Sequence, residues 1–203
     1  NDKGHMAILP IYDYAADFHE GKAVVGLKDE KGQMGFLVID RQGHICFSIQ
    51  LSNSQIGSHI SQGRLMFKEE KSGRYGYMDE QGTPLFYLPD GTTHANSFLH
   101  GVARIKNDTG YGLISSDGEL LIPCLYDSLI IASKKHIWLL QQGKWSLADL
   151  QGIPLLTQET TGVTPFFNGK TALVQQKDET SFINLQGKIV QRYEGMTIQP
   201  DRK

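Results

Sequence analysis

Short apolar segments alternate with polar clusters along the whole chain. Each segment has about four to eight residues and is bounded by Gly, Asn or Asp, which favour turns. The segments at 75–78 and 111–114 are the clearest, and each begins with Tyr-Gly. No amphipathic stretch of two helical turns or more interrupts the pattern. The pattern predicts an all-β protein of short antiparallel strands and tight turns, with negligible helix.

Four-residue turns that end in glycine recur along the chain. Each opens with Asp, Asn or Ser, whose side chain can accept a backbone N–H from inside the turn, and the final Gly adopts a positive φ without steric cost. Successive final glycines lie 34 to 39 residues apart. This spacing predicts a repeat of about 35 residues built on a hairpin loop with a glycine bulge. The turns are at 1–4, 40–43, 79–82, 115–118, 149–152 and 184–187.

A second signature, Phe-x-x-Gly-x-Ala-x-Val in its best form, lies upstream of these turns. After the turn glycine, apolar residues lead towards a Pro and a Tyr-Asp pair, as at 120–127. Each unit is therefore predicted to have three antiparallel strands: a variable first strand, a strand after the Phe-x-x-Gly corner, and a strand that enters the glycine turn. The signature begins at Phe18, Phe98 and Phe166, with weaker copies at Ile60 and Ala132.

The repeats divide the chain into five units and a fragment, which together form a single β domain at residues 1–203. A unit of about 35 residues cannot bury enough apolar surface to fold alone, so neighbouring units must stack. Two arrangements stay open, a propeller-like ring and a curved open array. The predicted units are residues 5–43, 44–82, 83–118, 119–152 and 153–187, with a partial unit at 188–203.

These signatures, in the same order five times, resemble the WG-repeat family (also called KWG repeats) of bacterial proteins. The resemblance extends over residues 8–195 and rests on the Phe-x-x-Gly corner, the (Trp/Tyr)-Gly-x-Ile strand, the Asp-x-x-Gly turn and the Pro-x-Tyr-Asp stretch. The eponymous Trp occurs in one copy only, as Trp145, and Ser146 follows it in place of Gly. The resemblance implies a bacterial, β-rich protein with a binding role and no catalytic residues to carry over.

The charge of the chain restricts the classes of partner. The 203 residues have a net charge of −2 and a pI of about 6.4, with both signs interspersed. This balance argues against nucleic acid or an anionic membrane surface as the main partner. No apolar run approaches the length of a membrane span. We therefore expect another protein as the partner, with no nucleic acid and no membrane span.

Common catalytic and metal-binding patterns are absent from the sequence. None of the seven His residues forms an H-x-H or H-E-x-x-H spacing, and Cys46 and Cys124 lie far apart and outside any C-x-x-C. The recurring acids Asp40, Asp79 and Asp149 are explained as turn caps. Gly-x-Ser-x-Gly and glycine-rich phosphate loops are also missing. We predict no catalytic, metal or cofactor site, no bound cofactor and no enzymatic activity.

The repeats, together with the absence of residues at the spacing of known catalytic motifs, favour a non-enzymatic protein-binding module of a bacterium. An inhibitor or toxin-neutralising (immunity) protein and an envelope scaffold are examples, with the periplasm or cell envelope favoured over the cytoplasm. Two alternatives stay open. One is a binder of cell-envelope glycans or small ligands through aromatics on a concave face, and the other is an enzyme whose residues are assembled from loops.

Recognition should lie where the units depart from the repeat, because residues of the repeat are committed to packing and turns. The largest departures are the two longer connections that lead into Gly63 and Gly101. The second contains an apolar, aromatic segment followed by a turn, and exposed aromatics with a polar flank are common interface anchors. The alternative is that these aromatics fill the first strand of the third unit. The predicted partner-binding residues are Phe86, Tyr87, Asp90 and His94.

Overall fold

A computed structural model describes residues 8–49, 55–156, 160–167, 169–177 and 179–195. Within these ranges the chain forms strands and turns and no helix, which confirms the predicted all-β class. The predicted turn at 1–4 lies outside the described residues. The strands are β1 (Tyr14–Ala15), β2 (Lys22–Lys28), β3 (Met34–Asp40), β4 (Ile45–Ile49), β5 (Gln55–Ile56), β6 (Leu65–Lys68), β7 (Tyr75–Met78), β8 (Pro84–Tyr87), β9 (His94–Ala95), β10 (Val102–Lys106), β11 (Tyr111–Ser115), β12 (Leu120–Tyr126), β13 (Ser128–Ile131), β14 (His136–Gln141), β15 (Lys144–Asp149), β16 (Gly162–Val163), β17 (Thr171–Gln176), β18 (Glu179–Asn184) and β19 (Ile189–Glu194).

Contacts divide the chain into two compact units, residues 1–98 and 99–203. In the first unit, β1 to β4 form one antiparallel sheet in chain order and β5 to β8 form a second. Strands that follow one another along the chain are neighbours in the sheet, so that Val38 of β3 pairs with Val24 on one side and Phe47 on the other. The assignment of residues 1–203 to a single domain stays a prediction.

The second unit contains three further antiparallel sheets, formed by β10 to β12, β13 to β15 and β16 to β19, again in chain order. Two isolated bridges extend the β15 edge, from Ala148 to Pro154 and from Trp145 to Thr160. The Trp145 N–H donates to the Thr160 carbonyl at 2.8 Å. This segment therefore takes the place of a fourth strand, and each sheet is open.

The sheets β1 to β4, β5 to β8 and β16 to β19 have four strands each, where the sequence pattern predicts three in a unit. The stretch after each glycine turn, expected to be one variable strand, is divided between two sheets. Leu120–Tyr126 is the outer strand of one sheet, and Ser128–Ile131 begins the next. The chain changes sheet at Asp127, whose carboxylate accepts the Gln142 N–H at 2.8 Å. Both strands are apolar, so the pattern alone does not show where the chain leaves one sheet for the next.

The glycine turns have the predicted geometry. Asp40 Oδ1 accepts the N–H groups of Gln42 and His44, each at 2.9 Å. Gly43 closes the turn with a φ of +85°, in the left-handed region that favours glycine. The chain after each turn forms the outer strand or edge segment of the same sheet. The predicted units end at the turn glycine, so each sheet extends beyond the end of its predicted unit. The same pair of hydrogen bonds recurs at Asp79, Ser115, Asp149 and Asn184.

Neighbouring sheets within each unit share a core. In the first unit, Val38 of the first sheet is buried in one cluster with Phe67 of the second. In the second unit, Leu113 of β11 shares a cluster with Leu139 of β14. A further cluster joins the β13–β15 sheet to the last one through Trp138 and Ala172. This sharing is expected, because one unit of this size cannot enclose its own apolar residues.

Candidate interaction surface

Three of the four residues predicted to bind a partner lie at the edge of the second sheet, and the fourth, His94, follows on a strand outside that sheet. Phe86 and Tyr87 end the outer strand β8, Asp90 lies in the turn that follows, and His94 begins β9. His94 is exposed. Because side chains alternate between the two faces of a strand, Phe86 and Tyr87 have different surroundings.

Phe86 is half-buried beside a buried ring of the first unit. It pairs with Tyr77 across the β7–β8 ladder, and the two rings lie 5.6 Å apart. Tyr77 is fully buried, which raises the pKa of its hydroxyl, and that hydroxyl donates to the Asn96 carbonyl. Phe86 therefore offers less of its ring to a partner than an exposed side chain would.

Tyr87 lies on the opposite face and is 38% exposed. Its ring meets the edge of the buried Phe67 ring at 5.5 Å and an angle of 81°. Both residues pair with Gly76, which lies between them in the sheet. A side chain at this position would begin 2.7 Å from the Phe67 ring and 2.8 Å from the Phe86 carbonyl oxygen. Glycine is thus required for the approach of the two rings.

An arginine that the sequence analysis did not single out connects Tyr87 to Asp90. The Arg74 guanidinium lies over the Tyr87 ring, 5.0 Å from its centroid. Arg74 Nε also lies 3.0 Å from Asp90 Oδ1, in an ion pair whose Asp90 side chain is 87% exposed. We call Arg74, Tyr87 and Asp90 the aromatic edge cluster. The turn at 79–82 joins β7 to β8, so the predicted hairpin places Arg74, just before β7, opposite the residues that follow β8. The position of Arg74 near Asp90 could therefore have been inferred from the predicted hairpin.

The connection after β8 is held in place from both ends. Leu88 is buried, and its N–H donates to the Tyr75 carbonyl at 2.8 Å. The Tyr75 hydroxyl donates to the Thr93 carbonyl at 2.9 Å. Between them, the Thr92 hydroxyl donates to the Pro89 carbonyl at 2.7 Å. The turn that carries Asp90 is therefore ordered by contacts on either side of it.

Other candidate chemistry is dispersed. His19 and His59 lie with ring centroids 4.9 Å apart, and burial together with His19 lowers the pKa of His59. Cys46 and Cys124 are free thiols. Among the described residues, no group of three or more His, Cys, Asp or Glu side chains could hold a metal ion. The same part of the chain has no helix of the length and hydropathy needed to cross a membrane.

Comparison with known families shows where the repeat signature is strongest. The model of the WG-containing repeat matches residues 1–34 and 111–145. Each segment includes a Tyr-Asp pair, Tyr12-Asp13 in the first and Tyr126-Asp127 in the second. In these two segments the match agrees with the resemblance to the WG-repeat family that the signatures indicate. No curated protein matches the sequence.

Solved structures with a similar fold include a eukaryotic initiation factor, with a TM-score of 0.57 and 12% identity over 89% of this chain and 55% of that one. The chain thus spans about half the length of that protein, and at this identity the likeness concerns the fold alone. Two others are BamB from Moraxella catarrhalis (TM-score 0.41, 13% identity, 89% and 76% covered) and AztD from Citrobacter koseri (TM-score 0.45, 13% identity, 88% and 58% covered). The neighbours are β-propeller proteins.

Proposed function

We propose that the chain is a non-enzymatic protein-binding module of a bacterium, and that the aromatic edge cluster is part of its binding surface. The observation that carries this proposal is Tyr87, held half exposed between the Phe67 ring and the Arg74 guanidinium. Trp, Tyr and Arg are the residues enriched at the energetic centres of protein interfaces. The repeat match and the propeller-like fold support the same role, because repeat surfaces are common binding platforms.

Contacts within the chain orient the cluster, and such preorganisation lowers the entropic cost of association. Tyr87 is oriented by Phe67 and Arg74, and Arg74 in turn is oriented by Asp90. A partner would meet an aromatic ring that is flanked by a paired cation and anion. Such a surface presents hydrogen-bonding groups around an apolar centre, the usual arrangement of an interface core and its rim.

An exposed aliphatic side chain lies beside the cluster on the same strand. Leu85 is two residues before Tyr87 on β8, on the same face, and is 47% exposed. It adds apolar area next to the Tyr87 ring, which favours contact with another protein.

Within this class, the role we infer is that of an inhibitor or toxin-neutralising (immunity) protein, or of an envelope scaffold. A location in the periplasm or cell envelope agrees with such roles. Each of them requires a rigid surface that recognises another protein, and none requires a cofactor or a reactive group. The cation and anion of the aromatic edge cluster would set the register of the partner, since interfacial charges contribute more to specificity than to affinity.

The test begins with affinity capture from the native host and continues with the binding constant of the captured protein. Tyr87→Ala is expected to weaken binding by about 1–3 kcal/mol, as for a central aromatic anchor. Tyr14→Ala is the matched control. Tyr14 is also 38% exposed and meets Phe36 edge-on at 6.0 Å, but belongs to the first sheet. Equal losses for the two variants, or unchanged binding in Tyr87→Ala, would contradict the proposed surface.

Asp90→Lys separates binding from folding. The Asp90 side chain is almost fully exposed, and surface ion pairs of this kind contribute only about 0–1 kcal/mol to stability. We expect partner affinity to fall by about 1–3 kcal/mol while the urea unfolding midpoint stays near that of the wild type. Screening with glycans and peptidoglycan fragments tests the alternative: glycan binding with no protein partner captured would favour a glycan-binding role.

A further inference from the structure

A groove in the second unit is lined by the corner turns of three successive repeats. A corner turn is the turn that follows the first residue of the Phe-x-x-Gly signature, whether that residue is Phe or another one. The groove encloses about 400 Å³. Small-molecule sites have volumes of roughly 300–1,000 Å³, so it is large enough for a compact ligand. Its principal lining residues are His100, Ala132, Lys134, Lys135, His136 and Phe166.

The groove lies where a small residue replaces a large one in the repeat. The corner position holds Ala132 in the fourth repeat. Ala132 is buried, 6% exposed, and lines the groove. Space that a large side chain fills elsewhere is therefore left open at this corner. The corresponding residues of the other repeats are Phe18, Ile60, Phe98 and Phe166.

The floor of the groove is aromatic and rigid. Phe166 is buried and lies nearly parallel to the Trp138 ring, with 8° between the ring planes and 6.4 Å between centroids. The Trp138 indole N–H donates to the Thr164 carbonyl at 2.9 Å, which fixes the ring below Phe166. Leu185 adds a further apolar side chain. A ligand with a flat apolar group would find a preformed surface here.

The rim of the groove is cationic. Lys134 and Lys135 are exposed on the turn between β13 and β14, and His100 lines the groove from the preceding corner. Among the described residues that line the groove, none is an Asp or Glu. Asp149 lies opposite His136 in the β14–β15 register, and its Oδ1 accepts two backbone N–H groups of its own turn. The charge of the rim therefore complements an anion.

His136 connects the rim to the floor. Its Nδ1 lies 2.8 Å from Ser133 Oγ, and its ring lies 5.7 Å from that of Phe166. Burial and the neighbouring Lys135 lower the pKa of His136, while Asp149 acts in the opposite direction. At neutral pH the imidazole is therefore mostly uncharged. It contributes a polar ring nitrogen beside two ammonium groups.

We propose that this groove binds a small carboxylate that carries an aromatic or other apolar group. The apolar group lies on Ala132 and Phe166, and the carboxylate lies between Lys134, Lys135 and His136. Apolar atoms form most of the lining, which favours a singly charged ligand with an apolar body over a bare inorganic anion. The carboxylate belongs either to a free small acid or to the C-terminal residue of a peptide. This inference does not depend on the aromatic edge cluster.

The direct test compares N-acetylphenylalanine with N-acetylphenylalaninamide by calorimetry on the full chain. The two probes have the same apolar group and differ in the carboxylate. The acid is expected to bind with a Kd of about 1 mM or below, and the amide at least about tenfold more weakly. Equal binding of acid and amide, or no binding of the acid at about 10 mM, would overturn the proposal.

A short peptide that ends in Phe with a free carboxylate distinguishes the two sources. Binding that is about tenfold tighter than that of N-acetylphenylalanine supports a peptide C-terminus, because further chain contacts then contribute. Binding that is equal or weaker supports a free small acid. Tyr87→Ala should leave both titrations unchanged, so failure of the proposed protein-binding surface would not affect this result.

Two sets of variants locate the site. Lys134→Glu with Lys135→Glu is expected to weaken binding of the acid by about tenfold or more. The matched control is Lys31→Glu with Lys71→Glu, which changes the same charge on exposed tips of the first unit and should leave the affinity unchanged. Ala132→Phe fills the groove and should abolish binding where circular dichroism shows that it folds. Equal losses in the charge variant and its control would overturn the assignment.

An NMR titration gives a second readout at a single residue. A bound carboxylate favours the protonated imidazole, so saturating N-acetylphenylalanine should raise the pKa of His136, and by linkage the acid should bind more tightly as pH falls. The charged groups that face this imidazole are Lys134, Lys135 and Asp149, together with His100 on the rim. An unchanged His136 titration at saturation would place the ligand elsewhere.

Discussion

The corner turns of the first and second units occupy the same place in the repeat but differ in how they are bonded. In the first unit the corners of successive repeats are joined by side chains. The Glu20 carboxylate accepts the Gln62 N–H at 2.9 and 3.1 Å, and His19 Nδ1 lies 2.7 Å from the Ile60 carbonyl oxygen. The Ser61 hydroxyl then donates to the Phe98 carbonyl at 2.6 Å.

In the second unit the corner at 132–136 opens into a groove. Its Ser133 hydroxyl contacts His136 of its own turn and accepts the Lys135 N–H at 3.3 Å. The backbone also differs. Glu20 and Gln62 have positive φ values of 50° and 52°, typical of type I′ turns, whereas neither Lys134 nor Lys135 has a positive φ. Side chains join the corners of the first unit. In the second unit a backbone hydrogen bond, from the Phe166 N–H to the Ala132 carbonyl at 3.3 Å, joins the corners, and the Lys134 and Lys135 side chains are exposed.

The difference shows that the corner is the part of the repeat that can change role without loss of the fold. Strands and glycine turns are determined by local hydrogen bonding and by the shared core in every sheet. A corner lies at the end of a strand, so a change there from Phe to Ala, or from Gly to Lys, alters the surface and leaves the ladders intact. Functional differences among repeats are therefore expected at the corners.

The largest expected effect comes from opening a closed corner. Phe98 is buried, with the Tyr77 ring 4.7 Å away and the Arg64 guanidinium 5.3 Å from its centroid. Phe98→Ala should lower the free energy of unfolding by about 3–5 kcal/mol, as for other buried Phe residues. Ala132→Phe, the reverse change, should cost about 1–3 kcal/mol at most, because the groove accepts much of the ring. Equal losses in urea unfolding would show that the two corners are packed alike.

The two corner serines offer a smaller and closely matched comparison. Ser61 is buried and bonds to the next repeat, whereas Ser133 is half-buried and bonds within its own turn. Ser61→Ala should cost about 1–2 kcal/mol, because it leaves a buried carbonyl without its donor. Ser133→Ala should cost about 0.5 kcal/mol or less. A loss at Ser133 as large as that at Ser61 would mean that the groove corner also contributes to the core.

The smallest expected effect is a pH dependence to which both corners contribute. Burial is the main cause that lowers the pKa values of His59 and His136 below the value of about 6.5 in the unfolded chain. As pH falls below 6.5 the unfolded chain takes up protons first, so stability is full above this pH and decreases below it. Urea unfolding between pH 5 and 7.5 should show this slope in the wild type.

The histidine variants sharpen this test. His59→Asn and His136→Asn should each reduce the slope, and N-acetylphenylalanine should change only the contribution of His136. A slope that is the same in the wild type and in the double variant would show that neither corner histidine is responsible.

Much of the fold follows from residues that are close in the sequence. Asp40 and Gly43 define their turn without help from the rest of the molecule, and the same residue types define the turns at 79–82 and 149–152. The period of the repeat and the ends of the strands on either side of each turn follow from these turns. The partner-binding site stays a prediction. Tyr87 and Asp90 are exposed and lie together around Arg74, whereas Phe86 is half-buried against Tyr77.

Contacts between distant residues were not predictable in the same way. Arg74 reaches Tyr87 and Asp90 only because β7 and β8 pair in one register, and an outer strand is separated from the next sheet at Asp127. The cationic groove likewise requires that corners far apart in the sequence meet, which the basic run at 134–136 does not reveal.

The sequence by itself determined the class of fold, the period of the repeat and the chemistry of its turns. These features depend on backbone preferences and hydrogen bonds within about five residues, which local residue types control. Only the tertiary structure decided which strands share a sheet, which aromatic ring of 86–87 packs against Tyr77, and that Ala132 lines a groove. Those outcomes depend on how side chains from separate sheets fill a common volume, and packing between distant segments is not encoded in any single one of them.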